Sequence, residues 1–402
     1  MREFELANGI KSVYKKNSET PRIAMTMNFS IDEEERLAGV YSLMTRLLLQ
    51  GTDKYNNEEL AKILDENGIE IIADMKQDYL RFRLLCLNED FPKAIELLEN
   101  IVKKSTFAEF DKEKTKMRGE LVAELDSARL KVSDAFVKTV YEGHYYGHTY
   151  TNILAALDDI TKEDVVDAYK RILSASKKVI AVVGSPEEDY VKKLLSDHFS
   201  DLSNNEEAKK SYSAPVLNES RKTEVIKEDA QQAQILKGWI VPTYKDEDYP
   251  VILVINTILG ASGLSSRLFR ELREKKGLAY TVRTSCEIRA LSAVFSIYIA
   301  TEPSNIETCL NGFREEVDKL KTDLVSEEEL RNAKNNIFGK HQFIVETNFQ
   351  QSVSLAYYGI IGLPFGYYDT MYEKIKAVTS EQVMECAKKY FNDNNVVAIL
   401  HP

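Results

Sequence analysis

Histidine and cysteine are scarce in this 402-residue chain, with five of the first and four of the second. A zinc site needs three or four His, Cys or carboxylate ligands converging. Neither an HExxH nor an inverted HxxEH occurs to supply them. His401 is next to the C-terminus, His198 lies just before a polar stretch, and His341 stands alone in a long helical pattern. His144 and His148 are four apart, but the Tyr-Tyr-Gly between them reads as a turn. Cys86, Cys286, Cys309 and Cys386 lack disulfide or metal spacing, which reads as reduced, buried thiols and a cytoplasmic protein. No GxSxG elbow and no CxxC is present. GASGLSSR, at 260–267, lacks the lysine and spacing of a phosphate loop; its small residues suit a mobile loop or a close backbone approach. No run of about 18 apolar residues exists, so no membrane span is expected. The opening MREFELANGIKSVYKK alternates like a strand and lacks a signal-peptide core. A net charge of -11 argues against nucleic acid or an anionic membrane as partner.

What is present is an ordinary globular composition, 44% apolar and 29% charged, long enough for two or more domains. Asn8-Gly9 joins two short strands, and RIAMTMNFS at 22–30 alternates as a third. The acidic run Asp32 to Glu35 suits the dipole of a following helix, Leu37 to Leu49, stopped by Gly51. Asn56 or Asn57 caps another helix, stopped by Gly68. Ile69 to Met75 and Tyr79 to Leu87 pair as strands, and one long helix is expected over Phe110 to Tyr141. DLSNNEEAKKSYSAPV, at 201–216, is a polar bridge.

Beyond the bridge the pattern starts over. QAQILKGWIVP resembles RIAMTMNFS, and ALDDITKEDVVDAYKRIL followed by KKVIAVVG resembles KIKAVTSEQVMECAKKYF followed by NNVVAILHP. A period of about 210 residues is too long for a solenoid and reads as a duplicated domain. The expected fold is α+β: two homologous domains, each an antiparallel sheet with helices on one face, arranged as a clamshell. The expected boundaries are 1–203, a linker at 204–218, and 219–402.

Two constellations carry chemistry. In LSSRLFRELREKKGLAYTV, at 264–282, Ser265 and Ser266 open a helix that Gly277 stops, and a strand follows. Arg273 on its last turn and Tyr280 at the strand's mouth are seven apart. A helix-to-strand turn can bring them together as two donors for a carbonyl oxygen gaining charge. Alternatively, Arg273 is a surface residue and Tyr280 an interface filler. Glu120 and Glu124, one turn apart, read as paired carboxylates on a cleft or as a solvated face.

Taken together, QGTDKYNNEELAKILDENG at 50–68, GHYYGHTY at 143–150, LDDITKEDVVDAYKR and SRLFRELREKKGLAYTV resemble the pitrilysin/insulinase superfamily, in its half-length, processing-peptidase-like branch. The resemblance implies an inverted zinc motif on the first long helix, just before Gly51-Thr52. Those positions here read Ser42-Leu43-Met44-Thr45-Arg46. The ligand slots are Ser42 and Arg46, the general-base slot is Thr45, and the third ligand slot falls on Glu124. Arg46 is a permanent cation that repels zinc. Arg273 and Tyr280 match the pair that such enzymes extend toward the scissile carbonyl.

The resemblance therefore implies a non-catalytic, peptide-binding subunit of a zinc metalloendopeptidase. This chain would hold no metal. The Zn²⁺ would sit on a homologous partner in a heterodimer, with a homodimer as the other arrangement. A substrate peptide would add to an edge strand, Ala293 to Ala300 or Ile69 to Met75, and the acidic balance would mildly favour basic peptides. The alternatives are an inactive scaffold and a clamshell that holds peptides without cutting them.

Overall fold

Alternating apolar residues build the strands of two sheets in a computed structural model that describes residues 1–402. The first sheet contains β1 (Arg2–Glu5), β2 (Lys11–Lys16), β3 (Arg22–Ser30), β4 (Glu70–Met75), β5 (Tyr79–Leu87) and β6 (Lys178–Gly184). Its order is β1-β2-β6-β3-β5-β4. The second contains β7 (Arg221–Ile226), β8 (Ala233–Val241), β9 (Ala279–Ile288), β10 (Ala293–Thr301) and β11 (Val396–His401), in the order β7-β11-β8-β10-β9. Apart from β1, the second order repeats the first strand for strand. The two domains are homologous α+β units.

Each sheet is mixed, not wholly antiparallel, because β2 pairs with β6, and β7 with β11, in parallel. The closing strand of each domain returns after a long helical excursion, which frees it to run either way.

Local chemistry explains most helix starts. Asn56 and Glu59 form a reciprocal capping box on the helix Asn57–Glu66. Glu35, from the acidic run, is buried and accepts from the backbone N–H of Gly39 and Tyr41, each at 3.0 Å. It thereby satisfies donors at the start of the helix Val40–Leu47. The single helix expected over Phe110 to Tyr141 is two, Phe110–Asp126 and Ala128–Val140. Ser127 breaks it by taking extended backbone, at ψ 118.

Helices cover both faces of each sheet, because β3, β6 and β10 are buried along both sides. On β3, Ile23, Met25, Met27 and Phe29 fill one face. The other carries Ala24, Thr26 and Asn28, and there Thr26 and Ser352 hydrogen-bond at 2.9 Å beneath the helix Asn348–Ile360. In the second sheet the matching position belongs to Ala128–Val140. A Cβ at Gly238 would lie 2.6 Å from the Phe136 ring, so glycine is what lets that helix approach β8.

The two compact units therefore interleave along the chain. One comprises Met1–Glu120, Asn152–Tyr212 and Gln342–Tyr367, the other Leu121–Thr151, Ser213–His341 and Tyr368–Pro402. Contiguous halves are the sequence expectation. Periodicity marks a helix as amphipathic but does not say which sheet receives its apolar face. Residues 209–218 form neither helix nor strand. Lys210 nonetheless pairs with Asp78 at 3.1 Å.

The edge strands are β1 and β4 in the first sheet and β7 and β9 in the second. Ala293 to Ala300 is interior, hydrogen-bonded to β8 on one side and β9 on the other, which corrects its expected edge role. Its nine residues, all buried, are those of a central strand. No helix is long and apolar enough to cross a membrane.

Candidate functional site

Leu268 and Leu272, both fully buried, dock the helix that carries Arg273. A Cβ at Gly312 would lie 2.3 Å from Leu272, so the helix Ile306–Thr322 offers a bare seat there. From Phe269 to Lys275 this helix winds as a π-helix, a form common at functional positions. Gly277 ends it at φ 63, where an L side chain would be strained. Gly277 N donates to Arg273 O at 3.1 Å and Leu278 N to Leu272 O at 2.8 Å, and β9 starts at Ala279. Ser266 does not cap the helix with its side chain, its hydroxyl donating instead to Gly263 O at 2.7 Å. Gly260 proves to be packed: a Cβ there would lie 2.5 Å from Thr284 N on β9.

This turn brings Arg273 and Tyr280 together. The Arg273 guanidinium carbon lies 4.7 Å from the Tyr280 ring centroid and 4.7 Å from that of Phe269. Tyr280 is 79% exposed, although tyrosine usually buries its ring, so its hydroxyl is open to a ligand. Arg273 has no carboxylate within ion-pair distance. Stacking between two rings orients its plane while leaving the N–H donors available. Sequence reasoning missed Phe269, whose signal was its spacing of four from Arg273 on one helix.

The positions that the resemblance assigns to the inverted zinc motif lie on Val40–Leu47. Ser42 and Arg46 are half-buried one turn apart, whereas Thr45 is buried and its hydroxyl donates to Tyr41 O at 2.8 Å. Arg46 donates a hydrogen bond to Glu120 and holds that carboxyl below its ordinary range. The arginine is thus neutralised by the carboxylate that sequence reasoning paired with Glu124. Glu124 is exposed and bonds the Tyr150 hydroxyl, whose pKa is raised by burial and then by the Glu124 charge. No group of three or more His, Cys, Asp or Glu side chains could hold a metal ion. A resident zinc does not fit these residues: one slot is a cation, another a buried hydroxyl committed to the backbone.

His144 and His148 flank a short turn. His144 bonds Tyr146 N at 3.0 Å and Ser213 O at 2.9 Å, and His148 packs edge-on to Tyr145. The four cysteines are unpaired.

Comparisons with known proteins bear on the family and the fold. Residues 11–156 match the model of the insulinase family, peptidase M16, and residues 159–337 match that of the peptidase M16 inactive domain. The chain is 26% identical over 381 residues to an uncharacterized zinc protease of Mycobacterium leprae, spanning 93% of this chain and 84% of that one. It is 24% identical over 411 residues to the uncharacterized zinc protease YmxG of Bacillus subtilis, spanning 100% and 98%. Among solved structures, a protease from Helicobacter pylori is similar with TM-score 0.91 at 21% identity, covering 100% of this chain and 99% of that one. A peptidase M16 inactive domain from Pseudomonas fluorescens is similar with TM-score 0.90 at 21% identity, covering 100% and 97%.

Proposed function

We propose that this chain, which belongs to the insulinase family (peptidase M16), is the peptide-gripping, non-hydrolytic subunit of a zinc metalloendopeptidase. The observation that carries this reading is the Arg273–Tyr280 pair. A guanidinium free of any carboxylate lies 4.7 Å from a phenol ring that is 79% exposed. Both groups donate to a peptide carbonyl oxygen, and their bonds strengthen as that oxygen gains negative charge. Nothing in this chain's first domain supplies the attacking water. In the reading offered here, a homologous partner with an intact inverted motif contributes it, activated by zinc. The assembly is then a heterodimer, and the free thiols suit a cytoplasmic setting. The extended peptide adds to the exposed edge of β4, where backbone pairing accepts many sequences.

The test mixes this chain with a zinc-motif homologue from the same cell and follows cleavage of a quenched peptide. Activity is expected in the mixture only, with Arg273→Ala and Tyr280→Phe each lowering it about a hundredfold. Full activity in both variants would remove the pair from the mechanism, and cleavage by the purified chain alone would end the division of labour.

A further inference from the structure

β5 and β4 carry a concentration of cations that the proposed chemistry does not use. On the face of the sheet that also bears Asn348–Ile360, Arg81 and Arg83 of β5 stand opposite Asp74 and Ile72 of β4. Arg81 forks onto Asp74 with bonds of 3.0 and 2.7 Å. Arg83 brings Nε to 3.0 Å from the same carboxylate, and Lys76 lies at 3.7 Å. Three cations thus share one anion, with side chains of Arg81 and Arg83 only 12% and 20% exposed. Arg83 makes no hydrogen bond: its Nε is buried and misaligned with Asp74, and its guanidinium carbon lies 5.2 Å from the Phe349 ring centroid.

The surroundings are equally short of partners. Asn28 stands opposite Arg81 in the β3–β5 register, is fully buried, and has neither its amide nitrogen nor its oxygen paired. On the covering helix, the buried Oε1 of Gln351 also lacks a partner. Each unpaired buried polar group costs about 1–3 kcal/mol. A folded protein rarely leaves such groups without a ligand or ordered water to meet them.

We propose that this floor, beside the exposed edge of β4, is a carboxylate site. It takes an acidic side chain, or the terminal carboxylate, of a peptide lying along that edge. The site rests on the peptide-gripping reading and refines it by naming a substrate class. Arg83 offers a planar fork suited to a carboxylate, and Phe349 holds that fork in place. Asn28 is fully buried two strands in from β4 and stays beneath the covering helix, so the contact with the peptide carboxylate is made by the Arg83 fork. Locally, these cations override the acidic balance of the whole chain, so acidic peptides are preferred over basic ones.

The experiment measures fluorescence anisotropy of the full chain with short labelled peptides that differ only in one Glu or Gln, each with a free or amidated C-terminus. The expected result is that a carboxylate raises affinity at least about tenfold. The Glu/Gln pair reports a side-chain source and the amidated pair a terminal one. Arg83→Met is expected to abolish the preference and Arg83→Lys to keep part of it. Equal binding of all four peptides overturns the site, as does an undiminished preference in Arg83→Met. The wild-type comparison needs no variant and stands even if Arg83→Met misfolds. Binding without preference sinks this site alone, whereas binding of no peptide sinks the gripping function as well.

Discussion

Lys178 allows a sharp test of the physical reasoning about the first domain. It lies in β6, fully buried, with no carboxylate in contact. Its ammonium donates to Ser176 O at 3.1 Å and Ser176 Oγ at 3.2 Å and sits 5.2 Å from the Phe29 ring centroid. Burial pushes its pKa down from 10.5 to about 8. Each pKa unit is about 1.4 kcal/mol, so holding the charged form inside costs about 3 kcal/mol. Below pH 8 the lysine is protonated in both folded and unfolded chains, and the full cost is present. Between 8 and 10.5 the unfolded chain keeps a proton that the folded one has shed, so stability rises with pH until the cost is gone.

Lys178→Met removes the charge, fills a similar volume, and forfeits the two hydrogen bonds that the neutral amine would keep, worth about 1 kcal/mol each. The variant is therefore expected to be more stable than wild type by about 1 kcal/mol at pH 7. That advantage is expected to reverse near pH 10. Urea unfolding of both proteins at pH 7, 8.5 and 10 measures it, and the shared tyrosine titrations cancel in the difference. A stability difference that ignores pH, or a variant much weaker at pH 7, would refute the buried-cation argument.

Other outcomes follow from the same geometry. Restoring the inverted motif with Ser42→His, Thr45→Glu and Arg46→His together is expected to bring about one zinc per chain after dialysis, with a carboxylate of Phe110–Asp126 as third ligand. Arg46→His alone should bring none, and a metal-free triple variant would show the slots are misassigned. Gly277→Ala places a side chain at φ 63 with nothing within 4 Å. It should cost about 1 kcal/mol by conformation alone. Gly260→Ala drives a methyl to 2.5 Å from the Thr284 backbone and should cost more, about 3 kcal/mol. Thermal unfolding ranks the two, and the opposite order would contradict the packing of Gly260 on β9.

How far the site could be read in advance depended on the range of the interactions involved. Arg273 and Tyr280 were legible because one helix, one glycine and one strand join them, and such local signals survive in sequence. Arg46 was equally legible, since its charge alone disqualifies a zinc ligand wherever it sits. Phe269, the second ring on Arg273, was written in the same helix but looked like core. Arg81 and Arg83 stood in plain alternation within YLRFRLLCL. Their significance arises only once β4, the buried Asn28 and the helix bearing Gln351 are assembled around them.

By itself, the sequence determined the repeat, most of the strands, the Asn56 cap and the turn that pairs a cation with a phenol. These depend on residue type and on spacings of a few positions, where covalent geometry dictates the outcome. Tertiary structure alone decided that β10 is interior, that β2 runs parallel to β6, and that the helices Ala128–Val140 and Asn348–Ile360 each join the unit built on the other half's sheet. Those choices turn on which apolar face meets which, and burial is indifferent to the order in which the chain supplies its surfaces.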